Sequence, residues 1–253
     1  MDKKINKKGQ ITIFIILAIL IVIAIVVLFF FLGRNYTQSR ETQDTQSYID
    51  KCIRDYLQVS AQKILEGGGK IEPQSYLMYK SEKYNYLCYQ QNYYLTCVNQ
   101  FPMLKSVVED EIKKDIDFQV RKCFDNLKQD LQDNGFDVSD SSLDFSVELV
   151  PGRILVEVDK KIDINKAESS ESFSKFDSQI LSPLYGLVMI AREIVNQESQ
   201  YCNFEYNGYM LLHPEYNIKR IDYDDSKVYL LTDTKTGKLF KFAVRSCAFP
   251  PGF

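Results

Sequence analysis

The chain has 253 residues, of which 45% are hydrophobic and 26% charged, with 34 Asp and Glu against 31 Lys and Arg, one histidine, six cysteines and no tryptophan. Setting aside the four lysines and one aspartate ahead of Gly9 leaves 27 basic and 33 acidic residues, a net of about −6, so no basic footprint for nucleic acid is present. One histidine and no Cys-x-x-Cys pair also make a zinc centre a poor reading.

The first predicted element is a transmembrane helix over residues 10–33, behind a basic cytoplasmic leader at 1–9. Lys3, Lys4, Lys7 and Lys8 precede an apolar run of 22 residues, Ile11 to Leu32, broken only by Thr12. At about 1.5 Å per residue such a helix is roughly 33 Å long, enough to cross the hydrocarbon core of a bilayer. A soluble helix of that length would need a polar face, and a cleavable secretory signal has a shorter core. Only Arg34 and Arg40 follow closely, so the excess of positive charge places the N-terminus in the cytoplasm and the rest of the chain outside. The expected location is the cell membrane, single-pass, with membrane lipid as the first partner.

At the junction, Lys7, Lys8 and Gly9 are followed by Gln10, Ile11 and uninterrupted apolar sequence. This arrangement resembles the class III signal of archaeal type IV pilins and archaellins. The resemblance implies cleavage after Gly9 by a prepilin-type peptidase, with Lys8, Gly9 and Gln10 as the processing residues. It also implies that the helix stays on the mature chain and packs against pilin-like subunits or copies of itself. The fifth residue after the glycine is Phe14, where bacterial pilins carry glutamate, which separates this chain from the bacterial pattern. The layout is also similar to that of anchored surface proteins of small-genome archaea.

Residues 34–46 are polar and lack proline beyond Gly33, which suits a stalk. The outer domain, 47–253, is predicted to be α+β, with antiparallel strands packed by about three amphipathic helices and a sub-boundary near 135–140. Ile49, Ile53, Tyr56 or Leu57, and Ile64 mark a helix from about Thr45 to Leu65, stopped by Gly67, Gly68 and Gly69. Short strands follow from Ile71 to Val98. A long helix is expected from about Met103 to Asp133 on the stripe Leu104, Val108, Ile112, Ile116, Val120, Cys123, Leu127 and Leu131. Alternation from Leu143 to Leu149 and from Ile154 to Val158 about Pro151 and Gly152 predicts a hairpin. Phe176, Ile180, Leu184, Leu187, Ala191 and Ile194 suggest a helix over Phe173–Gln197, kinked or divided at Pro183. A final antiparallel block spans Tyr201–Phe249, with a hairpin around Asp233 to Gly237.

All six cysteines lie on the predicted outer side, where disulfides form. Six cysteines permit 15 connectivities. Cys88 and Cys97 would face each other across two short strands, Cys202 and Cys247 bracket the C-terminal strands, and Cys52 and Cys123 are left on two helix stripes.

No nucleophile elbow, zinc-protease helix, phosphate loop or dinucleotide fingerprint is present, and no cofactor is implied. Thr236, Gly237 and Lys238 read as a turn, His213 as a surface or strand-end histidine, and Asp222, Asp224 and Asp225 as a solvated turn in preference to a Ca²⁺ loop. A sequon at Asn35 lies too near the membrane for a transferase. The Tyr-rich region offers a binding face at Tyr84, Tyr86, Tyr89, Tyr93 and Tyr94, weighed against simple cross-strand packing. Three functional classes follow, in descending order: a pilin-like structural or assembly subunit, an anchored adhesin or receptor, and an anchored enzyme. The lack of a catalytic constellation favours a non-enzyme.

Overall fold

The computed structural model describes the backbone of residues 7–167 and 169–250 and the side chains of 17–28, 45–167 and 170–250. The chain divides into two compact units, Met1–Ser47 and Tyr48–Phe253. Helix α1, Lys7–Glu66, is the first element. Within the amino-terminal unit every described side chain from Leu17 to Leu28 is exposed, including Leu20 at 58% and Val22 at 59%. Among the described residues no helix is long and apolar enough to cross a membrane. Of the span expected over 10–33, only the side chains of 17–28 are described, and both ends of that run lie outside them.

In the second unit α1 buries Ile49, Ile53, Leu57, Ile64 and Leu65, the face set by the three-and-four spacing of the sequence. It ends where Gly68 and Gly69 take φ of 62° and 89°, and Gly69 donates its backbone N–H to the Ile64 carbonyl at 3.0 Å. A Cβ at Gly68 would lie 2.5 Å from the Lys241 carbonyl oxygen, so the turn needs glycine for space as well as for φ. Helix α2, Leu104–Asp133, buries the predicted stripe from Leu104 to Leu127 and adds Phe124. Gly135, at φ 81°, follows its end. The Cys52–Cys123 disulfide joins α1 to α2, with Cα atoms 6.1 Å apart.

Four strands form the first sheet: β4 Asp137–Asp140, β5 Asp144–Val150, β6 Arg153–Lys166 and β7 Ser169–Leu181. Strand β6 pairs antiparallel with β5 and β4 along one edge and with β7 along the other. The helix expected over Phe173–Gln197 is corrected here, since 169–181 is a strand and the helix α3, Leu184–Tyr201, starts only after Pro183. Two features disguised the strand. Its buried series Phe176, Ser178 and Ile180 has a serine in the middle, and a register shift between Asp159 and Ile162 of β6 moves the inward positions of β7 from Phe176 to Phe173. Removing Ser178 from view leaves spacings of three and four, which imitate a helix.

The second sheet runs β1-β2-β10-β9-β8, with β3 Val98–Asn99 beside β2. Its strands are β1 Tyr76–Tyr79, β2 Glu82–Tyr89, β8 Tyr216–Tyr223, β9 Ser226–Asp233 and β10 Leu239–Arg245. The β9–β10 hairpin forms about Asp233–Gly237 as expected, whereas β10 meets β2 in parallel, a departure from an all-antiparallel block. A short helix, α4 Tyr206–Leu212, falls where only strands were expected. The apolar face of α3 packs against α2 and strands of both sheets, and a single α+β core crosses residues 135–140.

Candidate functional site

The tyrosines of β2 lie on the face of the second sheet that turns away from α3. They form a cluster separate from the main core, and their rings cover one another. Tyr84 and Tyr86 are 5% and 8% exposed and form a small second core with Val228 and Ala243. Tyr79 meets Tyr84 and Tyr223 edge-on at 5.7 and 4.9 Å, and Tyr86 meets Tyr89 at 5.0 Å. Tyr86 also shares a hydrogen bond of 2.9 Å with the Ser226 hydroxyl. Tyr84 and Tyr86 are packed, not displayed. Tyr93 and Tyr94 are exposed, and Tyr94 rests edge-on against Phe249 at 5.5 Å.

Beside Tyr89 and Tyr93 the structure opens into a pocket of about 960 Å³. Its lining includes Cys202, Asn203, Arg220, Lys227, Cys247 and Phe249, with Asp222, Asp224 and Asp225 also contributing. Arg245, from the end of β10, is nearly buried, with its guanidinium 5.8 and 5.2 Å from the ring centres of Tyr89 and Tyr93. Its Nε donates to Asp225 Oδ2 at 2.8 Å, and a second nitrogen donates to the Gln90 carbonyl. Burial works to raise the Asp225 carboxyl, but the guanidinium outweighs it and holds that group below its ordinary range.

Behind the pocket lies Glu198, fully buried in the last turns of α3. Lys227 Nζ donates to Glu198 Oε2 at 2.7 Å and to the Cys202 carbonyl. The Tyr229 hydroxyl donates to Glu198 Oε1 at 2.5 Å. Burial, then the adjacent carboxylate, pushes the Tyr229 phenol far above its ordinary value, so it remains a neutral donor. Ser246 Oγ accepts from the Cys97 backbone N–H at 3.1 Å and donates to the Glu198 carbonyl at 2.8 Å, which links the Cys88–Cys97 and Cys202–Cys247 regions through one hydroxyl.

The bridges are Cys52–Cys123, Cys88–Cys97 and Cys202–Cys247, with Cα separations of 6.1, 5.4 and 5.7 Å. Sequence spacing pointed to these pairs. It missed Glu198, Lys227, Tyr229 and Arg245, although a glutamate four residues after Ile194 on the buried stripe of α3 is the visible signal of a buried charge. Lys8, Gly9 and Gln10 lie outside the described side chains. His213 follows α4 and stacks on Tyr209 at 4.4 Å, and Thr236 donates to the Asp233 carboxylate in the β9–β10 turn. Among the described residues no group of three or more His, Cys, Asp or Glu is placed to hold a metal ion.

The charged groups at the pocket are paired with one another, Arg220 with Asp222 and Asp225 with Arg245 behind it. Lys227 and Glu198 satisfy each other as an ion pair at 2.7 Å. Compared with known protein families, characterised proteins and solved structures, the chain shows no match.

Proposed function

We propose that the protein is a single-pass membrane-anchored cell-surface protein of the pilin-like type, whose N-terminal helix serves both as anchor and as assembly helix. The observation that carries this reading is the apolar surface of α1 from Leu17 to Leu28, exposed on every side. Covering the ten large side chains of that stretch would be worth on the order of 10 kcal/mol, since each is already about half shielded by its own helix. Lipid or neighbouring helices supply such cover, and water does not. The three disulfides fit an oxidising, extracytoplasmic setting for residues 48–253. The Lys8, Gly9 and Gln10 junction adds peptidase processing, and pilin-like subunits or copies of the same chain are the partners that follow.

Intact mass measurement of the full chain, expressed with and without a prepilin-type peptidase, tests the reading. Loss of residues 1–9 only in the presence of the peptidase is the expected result, and an unchanged mass would sink processing by that route. A second reading, an anchored binding module, is favoured by the pocket at Arg220, Lys227 and Phe249. It predicts an unprocessed chain that stays monomeric in detergent.

A further inference from the structure

We propose that the Cys202–Cys247 disulfide is a thiol-exchange site, opened by an external dithiol in the folded protein while the other two bridges stay closed. Access is the first argument. Cys88, Cys97 and Cys123 are 0%, 3% and 1% exposed, and Cys52, itself partly exposed, is bonded to the buried Cys123 and packs against the core, with no pocket opening onto the pair comparable to that at Cys202 and Cys247 among the described residues. Cys202 and Cys247 are both partly exposed and both line the 960 Å³ pocket, which is wide enough for a small thiol to approach the bond.

Backbone conformation separates the bridges in the same way. Cys202 and Cys247 hold φ of 56° and 45°, in the left-handed region that L side chains disfavour, and none of the other four cysteines does. Opening the bond frees Cys247 to leave that conformation.

The reaction is a thiolate attack on one sulfur of the pair. The S–S bond breaks, a mixed disulfide forms and the other cysteine leaves as a thiolate. The second thiol of the attacking dithiol then displaces the remaining cysteine. The dithiol is oxidised to a disulfide and the protein gains two thiols. The tail does not depend on the bond alone: Cys247 donates its backbone N–H to the Leu95 carbonyl at 2.8 Å, and Tyr94 donates to the Ala248 carbonyl at 2.9 Å. Both acceptor and donor lie in or beside the loop that Cys88–Cys97 closes, so opening one bridge leaves the tail seated.

The test uses the full chain in detergent micelles without denaturant, treated with dithiothreitol, quenched with iodoacetamide and mapped by peptide mass. Cys202 and Cys247 are expected to become alkylated at least tenfold faster than the other four cysteines, with the near-UV circular dichroism of the folded protein retained. Equal rates at all three bridges, earlier opening of Cys52–Cys123 or Cys88–Cys97, no labelling without denaturant, or loss of the near-UV signal as Cys202 and Cys247 open would each overturn the proposal.

Discussion

Glu198 is the residue whose environment departs furthest from that of an ordinary surface carboxylate. It is wholly buried and satisfied by Lys227 and Tyr229, so truncating it strands an ammonium and a hydroxyl behind the pocket. Breaking a buried pair costs about 3–5 kcal/mol, and the partial exposure of Lys227 brings the expected loss for Glu198→Ala to the lower end, about 3 kcal/mol. Urea unfolding of the domain measures it, and a loss below about 1 kcal/mol would mean that water already reaches the pair. Asp140 offers a pH-dependent counterpart. A hydrogen bond from Lys128, then one from Lys160, lowers its carboxyl below the ordinary value. A carboxylate that is more acidic in the folded state contributes stability above its unfolded pKa of about 3.9, and that contribution disappears as pH falls through the lowered folded value. Asp140→Asn should therefore flatten the dependence of unfolding free energy on pH below about 4. An unchanged acid slope would assign that slope to other carboxylates.

At the scale of elements, α2 and the β5–β6 hairpin were readable because each has one buried face and one clear terminator. Strand β7 was not, because Ser178 occupies an inward position and donates to Asp50 of α1 at 2.9 Å. A polar residue satisfied by a distant partner carries no hydrophobic signal. The parallel pairing of Ala243 with Tyr86 joins segments more than 150 residues apart, and local periodicity contains nothing about it. The Cys52–Cys123 bridge fixes α1 on α2 across a sequence separation of 71, and by loop-closure entropy its removal raises the freedom of the unfolded chain by roughly 4 kcal/mol. Cys52→Ala with Cys123→Ala should lower stability by about that amount in chemical denaturation. A change under about 1 kcal/mol would show that the unfolded chain keeps these helices together without the bond.

For the whole molecule, the apolar stretch Leu17–Leu28 and the disulfide-tied unit Tyr48–Phe253 set different demands. If lipid covers the first, arginines at its centre should weaken insertion by about 3 kcal/mol each. Ile21→Arg with Ala24→Arg is expected to shift the protein from the pellet to the supernatant in alkaline carbonate extraction of membranes. Release of the unsubstituted chain under the same treatment would end the anchoring proposal.

The sequence by itself determined the α+β class, α2 and the two hairpins, because each follows from local period or turn chemistry, and its cysteine spacing suggested pairs that only the structure fixed. It also defined the basic, apolar N-terminal segment on which the functional proposal rests. Only the tertiary structure decided that Tyr84 and Tyr86 are packed, that β7 is a strand, and that Glu198, Lys227 and Tyr229 meet behind the Cys202–Cys247 bridge. Those outcomes depend on which distant surfaces touch, and the burial of a polar group is set by partners that lie far away along the chain.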